Sequence, residues 1–133
     1  MVLYLAQAAQ TVPSSKLSAA LGTSSRYLLQ IGARLRDEGI VRVSYGNSGG
    51  YVLAKSPDEI TLFDIIVIME GNVQIGVQSV QRETKVKFDL LDAAYEHVNQ
   101  VLTTFLETTT ISQLLSISVS LVFLKSYNHT IKG

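Results

Sequence analysis

Apolar residues recur at helical spacing twice within the first forty positions. Leu17 and Leu21 stand four apart, on one face of a short helix. Ser14-Ser15-Lys16 after Pro13 offers a hydroxyl cap for its start, and Gly22 offers its stop. Thr23-Ser24-Ser25 is the next start signal. Leu28, Ile31 and Leu35 then fall at i, i+3 and i+7, which predicts a second helix to about Glu38, stopped by Gly39. Beyond Gly39 the period changes to two. Val41, Val43 and Tyr45 alternate with Arg42 and Ser44, Gly46-Asn47-Ser48-Gly49-Gly50 is a turn cluster, and Tyr51-Val52-Leu53 returns as a second strand. The predicted order is helix, tight turn, helix, hairpin.

Two further helices follow. Pro57 blocks helix ahead of Thr61, a hydroxyl cap with Asp64 three residues on, as in a capping box. Ile65, Ile66, Ile68 and Met69 make that helix strongly apolar, so burial is predicted for it, and Gly71 ends it. Residues 83–107 are nearly free of breakers. Phe88, Leu91, Tyr95, Val98, Leu102 and Phe105 follow spacings of 3, 4, 3, 4 and 3, a 3.5-residue repeat of the coiled-coil kind. Leu90, Ala94 and Val101 add a second strip beside it. One strip can face the chain's own domain and the other a second copy; the competing reading is a single wide stripe facing the core of a monomer. Residues 117–123 alternate in a way that fits a strand, with helix also open. The chain thus divides into residues 1–71, 72–114 and a C-terminal segment 115–133 of undetermined structure. The fold class is mainly α with a small β-hairpin.

Charge and composition narrow the function. The 133 residues carry 11 basic and 11 acidic side chains, which excludes a wholly basic nucleic-acid coat. Residues 1–60 nevertheless hold six bases against four acids, and residues 61–133 hold five against seven. The basic excess sits with the two short helices and the hairpin. Cysteine is absent, which removes disulfides, thiol nucleophiles, thiolate zinc sites and any cysteine-ligated iron–sulfur cluster; with only His97 and His129, a histidine-rich metal site has no ligand supply either. His97 lies off the seam and reads as solvated. No nucleophile–base constellation or phosphate-cradling loop is present, so no enzyme activity is indicated. The first nine residues faintly resemble a signal peptide but lack its basic start, and fit an amphipathic or buried helix better. Residues 111–124 are interrupted by Ser112, Gln113, Ser116, Ser118 and Ser120 and are too short to span a membrane. A cytoplasmic protein without membrane attachment is expected.

A helix pair joined by a tight glycine turn matches a helix-turn-helix, whose second helix enters the major groove of double-stranded DNA. Here its first residues are Ser24, Ser25, Arg26, Tyr27 and Gln30. Arginine pairs with guanine in a bidentate way and glutamine with adenine, while serines at a helix start take phosphates. Arg34 and Arg36 lie further along, within reach of the backbone. The hairpin behind the pair completes a winged helix, and its turn would bring Tyr45, Asn47 and Ser48 to the backbone or minor groove. Plain structural roles for both the helix pair and the hairpin remain the competing readings.

These residues resemble the BadM/Rrf family of bacterial winged-helix transcription regulators, which includes the iron–sulfur cluster regulator, the nitrite-sensitive repressor and the cysteine-metabolism repressor. The resemblance rests on residues 17–22, on Ser24-Ser25-Arg26-Tyr27-Leu28-Leu29-Gln30, on residues 34–41 and on the wing at 46–54. The most specific run is 57–66, closed by Met69-Glu70-Gly71, and residues 107–114 resemble the segment after the family's long helix. It spans about residues 3–114. It implies a winged helix-turn-helix with a long dimerisation helix, acting as a homodimeric regulator, a repressor in this reading, on a pseudo-palindromic operator. Four departures stand out. The cluster-sensing members carry three cysteines after the Glu-Gly, and residues 72–89 carry none here. Tyr45 replaces the arginine that usually precedes the wing's first glycine. Leu29 stands where a glutamate is frequent. The first helix starts later than is usual, through truncation or a shorter helix. The second reading is therefore a winged-helix protein-interaction module, with a protein partner of unknown kind, that has lost specific DNA binding. A small-molecule effector of unknown identity could sit between the long helix and the winged helix.

Overall fold

The computed structural model describes residues 1–74 and 89–117. The helices α1 (Val2–Ala8), α2 (Ser14–Leu21) and α3 (Ser25–Asp37) lead into an antiparallel hairpin of β1 (Val41–Ser44) and β2 (Gly50–Leu53). A short 3-10 turn at Pro57–Glu59 precedes α4 (Leu62–Glu70), and α5 (Asp89–Thr108) is the long helix. Residues 111–117 form a further helical segment.

The helix ends follow local chemistry. At α2 the predicted serine cap is replaced by Pro13, which takes the cap position without a side-chain bond; Ser14 and Ser15 are already helical. Proline's fixed φ suits that entry. Gly22, at φ 61°, closes α2 in the left-handed region that glycine enters at little cost. Ser24 caps α3, its Oγ accepting from the Tyr27 N–H at 3.1 Å. α4 carries the full capping box: the Asp64 N–H donates to Thr61 Oγ1 at 3.1 Å, and the Thr61 N–H donates back to Asp64 Oδ2 at 3.0 Å.

The core lies beneath the first three helices and the hairpin. Leu5, Leu17, Leu28, Leu35, Ile40, Val41 and Ile60 are almost wholly buried there. The pairing Val41↔Leu53 and Val43↔Tyr51 fixes the hairpin register, and Tyr45 falls just beyond β1 rather than inside it. Val12 adds a single bridge on the outer side of β2, exchanging both backbone bonds with Tyr51 at 2.8 and 2.9 Å. Gly50 is required there, because a side chain would run into the Val12 carbonyl.

α4 departs from expectation. None of its residues is buried; residues 62–69 are all half-buried. Ile65 and Ile68 pack on the core, and α5 lies along another side. An apolar helix with neighbours on only part of its circumference keeps the remainder open. The segment after α5 is stitched back to the winged helix: the Leu62 N–H donates to the Thr109 carbonyl at 2.9 Å and the Ile111 N–H to the Ile60 carbonyl at 2.8 Å. Ile111 and Leu106 are thereby buried. The alternating residues 118–123, and most of the C-terminal segment, lie outside the described residues.

Candidate nucleic-acid interface

α3 has two unlike faces. Leu28, Gly32 and Leu35 point into the core, while Ser24, Ser25, Arg26, Tyr27, Gln30 and Arg34 are all exposed. Arg26 and Gln30 stand one turn apart, and Tyr27, Gln30 and Arg34 follow at i, i+3 and i+7, so they share one side of the helix. The start of the helix also presents its backbone N–H groups and the positive end of its dipole to this side. Both serines are placed at that start, with Ser24 already accepting from the backbone.

The exposed face borders a cleft of about 450 Å³ between α3 and the end of α4, lined by Tyr27, Gln30, Ile31, Arg34, Met69 and Glu70. Arg34 Nη1 donates to the Met69 carbonyl at 3.3 Å. That bond satisfies one of the carbonyls a helix end leaves open and places a cation at the negative end of the α4 dipole. Arg34 therefore has a structural partner that its position in the sequence did not announce. Its remaining donors are the ones available to a phosphate.

The hairpin is seated on α3 through one close contact. Tyr51 is buried, and its ring lies where a Cβ on Gly32 would stand. Burial, together with the nearby Tyr45 phenol, pushes the Tyr51 phenol above its ordinary value, and the Arg36 cation opposes this. Tyr45, Asn47 and Ser48 are exposed, Tyr45 at 85%. Arg36 donates through Nε and Nη2 to Asp37 Oδ1, at 3.1 and 2.9 Å. These hydrogen bonds, the Asp37 charge and the Tyr45 phenol all favour its charged form. The Gly32–Tyr51 seat is the feature that sequence reasoning missed; the one available signal was a glycine in the middle of an amphipathic helix.

The predicted seam on α5 is divided. Leu91, Val98 and Phe105 are exposed, whereas Tyr95 and Leu102 are half-buried and Phe88 lies outside the described residues. Leu90, Ala94 and Val101, the second strip, join the exposed set. At about 100° per residue the apolar positions span roughly half the helix circumference. Tyr95, Asn99, Leu102 and Leu106 form the covered edge, and Leu91, Ala94, Val98, Val101 and Phe105 the open one. Leu102 and Leu106 also line a cavity of about 390 Å³ beside Ile66 and Glu70 of α4.

Comparison with known proteins places this arrangement. The sequence matches the family described as "Rrf2: Iron-dependent Transcriptional regulator" over residues 1–117. The chain belongs to the Rrf2 family. Its similarity to the HTH-type transcriptional regulator CymR of Bacillus subtilis is 37% identity over 93 residues, covering 70% of this chain and 64% of the relative. With the HTH-type transcriptional regulator IscR of Klebsiella pneumoniae it shares 30% over 109 residues, covering 79% of this chain and 65% of the relative. The chain thus spans just under two thirds of these curated relatives. Among solved structures, B. subtilis CymR, the global cysteine regulator, superposes with a TM-score of 0.72 at 29% identity, covering 87% of this chain and 88% of that one. A putative transcriptional regulator from Listeria innocua gives 0.74 at 30%, covering 86% and 78%. The fold is accordingly the Rrf2 winged helix.

The iron in the family's description finds no thiolates in this sequence. Among the described residues no group of three His, Cys, Asp or Glu side chains is placed to hold a metal ion. The residues present do not fit a cysteine-held cluster. No helix among them is long and apolar enough to cross a membrane.

Proposed function

We propose that this chain is a DNA-binding transcriptional regulator, a repressor acting as a homodimer on a pseudo-palindromic operator in the cytoplasm, and not an enzyme. The observation that carries the reading is the two-faced α3: Arg26, Tyr27, Gln30 and Arg34 share its exposed side while the opposite side is core. Arg26 and Gln30 are the base readers, suited to guanine and adenine. Ser24, Ser25, Arg34, Asn47 and Ser48 hold phosphates and set the register. Membership in a family of transcriptional regulators, and the names of the relatives, support the same assignment.

Pairing of two copies through the open edge of α5 would cover Leu91, Val98, Val101 and Phe105, each about half exposed and so contributing roughly 1 kcal/mol, half the value for burying a fully exposed side chain. The return of residues 109–111 to the winged helix ties α5 to the reading head, so the dimer would set the spacing of two recognition helices. The cavity beside Leu102 and Leu106 is the place for a small effector of unknown identity. The test is Arg26→Ala, and separately Gln30→Ala, on a duplex obtained by selection with the unmodified protein. Each should lower specific affinity by about 1–3 kcal/mol while leaving random-sequence binding within a few-fold. Unchanged specific affinity in both variants would remove α3 from base readout.

A further inference from the structure

The junction between α3 and the wing holds a cation that the proposed DNA contacts do not use. Gly32 and Arg36 are one turn apart on α3, and Tyr51 lies against Gly32. The base of the wing therefore runs along the face from which Arg36 projects, next to Tyr45, which is almost fully exposed. Arg36 is bound by its own neighbour: both Nε and Nη2 donate to the single oxygen Asp37 Oδ1. The pair is open to solvent, with 46% of the Arg36 side chain and 66% of the Asp37 side chain exposed. A solvated ion pair of this kind adds little stability and yields readily to a competing anion. Asp37 also ends α3, where a negative charge meets the negative end of the helix dipole. Its place is thus unfavourable for the helix dipole, and its carboxylate is held by Arg36.

We propose that Arg36, with Tyr45 beside it, is a DNA-phosphate contact at the crotch between the recognition helix and the wing, and that Asp37 holds it in reserve by competing with the phosphate. This rests on the DNA-binding reading above. On contact the guanidinium exchanges one carboxylate oxygen for a phosphate oxygen, and the Tyr45 hydroxyl offers a second donor at the same site. Asp37 then sets how much of the affinity comes from the backbone, and so lowers sequence-independent binding relative to specific binding.

The experiment uses the full chain and a labelled random-sequence DNA duplex, with affinity followed by anisotropy across a salt series. Asp37→Asn should tighten binding about threefold by removing the competitor, with the log–log salt slope little changed because no phosphate contact is added. Arg36→Gln should weaken binding and flatten that slope by about one, the size of the phosphate contact it removes. In the double variant the gain from D37N should largely disappear. A D37N gain of equal size with and without Arg36 would mean that Asp37 acts only through general charge, and would overturn the proposal. Unchanged or weaker binding by D37N would overturn it as well. If the unmodified protein binds no duplex even at low salt, the DNA-binding reading falls with it; if that protein binds and D37N does nothing, only this inference falls.

Discussion

Leu17 and Val101 are both aliphatic residues on amphipathic helices, and they end at opposite extremes: 0% and 58% exposed. The winged helix gathers most of its aliphatic residues into one core, although Leu3, Leu21 and Leu29 stay exposed. Leu5, Leu17, Leu28, Leu35, Ile40 and Ile60 meet one another, and the hairpin closes over them through Tyr51. α5 does not. One edge of its stripe rests on α4, and the other carries Leu91, Val98, Val101 and Phe105 into solvent. The difference separates two regions: the winged helix closes its core, with Ile111 from beyond α5 completing it, while α5 leaves one apolar edge open, the edge proposed to meet a second copy.

The largest effect is expected in the core of the winged helix. Leu28→Ala should cost about 2–5 kcal/mol in denaturant unfolding, because a fully buried leucine leaves a cavity. A loss below 1 kcal/mol would show that the head is less tightly packed than its burial implies. On α5, Phe105→Glu and Val101→Glu should each weaken dimer association by about 1–3 kcal/mol, from lost apolar burial plus the cost of burying a carboxylate, with little effect on unfolding of the monomer. Sedimentation at graded concentration reads the first effect and denaturation the second. A variant that loses its fold would instead place these residues in a monomer core. Leu102→Glu cannot serve the same purpose, since Leu102 lines the α4–α5 cavity.

Two changes of smaller effect act at the wing seat and at the start of α4. Gly32→Ala gains up to about 1 kcal/mol in helix propensity but forces a methyl group into the Tyr51 ring. A net loss of about 1–3 kcal/mol is expected, from overpacking, with weakened DNA binding as the wing tilts. Net stabilisation would show that the Tyr51 ring moves freely. Thr61→Ala removes one arm of the α4 capping box and should cost about 1 kcal/mol, seen as a modest fall in Tm.

Much of the head was legible because its signals are local. Gly22, Ser24, Thr61 with Asp64 and the Gly46–Gly50 cluster each announce a helix end or turn through nearby backbone groups, and period-two alternation announces β1. What the sequence did not disclose depends on who packs against whom. Ile65, Ile66, Ile68 and Met69 predict a buried helix, yet α4 stays half-buried because hydropathy does not count the neighbours available. The 3.5-residue repeat on α5 marks an apolar band, but a band that wide has two edges. Only packing against a neighbour decides the edge, as α4 does for Leu102 and Leu106. Of the proposed DNA contacts, all nine (Ser24, Ser25, Arg26, Tyr27, Gln30, Arg34, Tyr45, Asn47 and Ser48) are exposed. The bond from Arg34 to Met69 and the pairing of Arg36 with Asp37 could not be read from spacing. They join side chains whose orientation is set by the packed helices.

In the proposed dimer a pair of reading heads, spaced by α5, recognises DNA. Selection of bound duplexes from a random-sequence pool tests both parts at once. Enrichment of an inverted repeat, with half-site centres separated by a whole number of helical turns, is the predicted result. No enrichment over the starting pool, or a motif without two-fold symmetry, would contradict it.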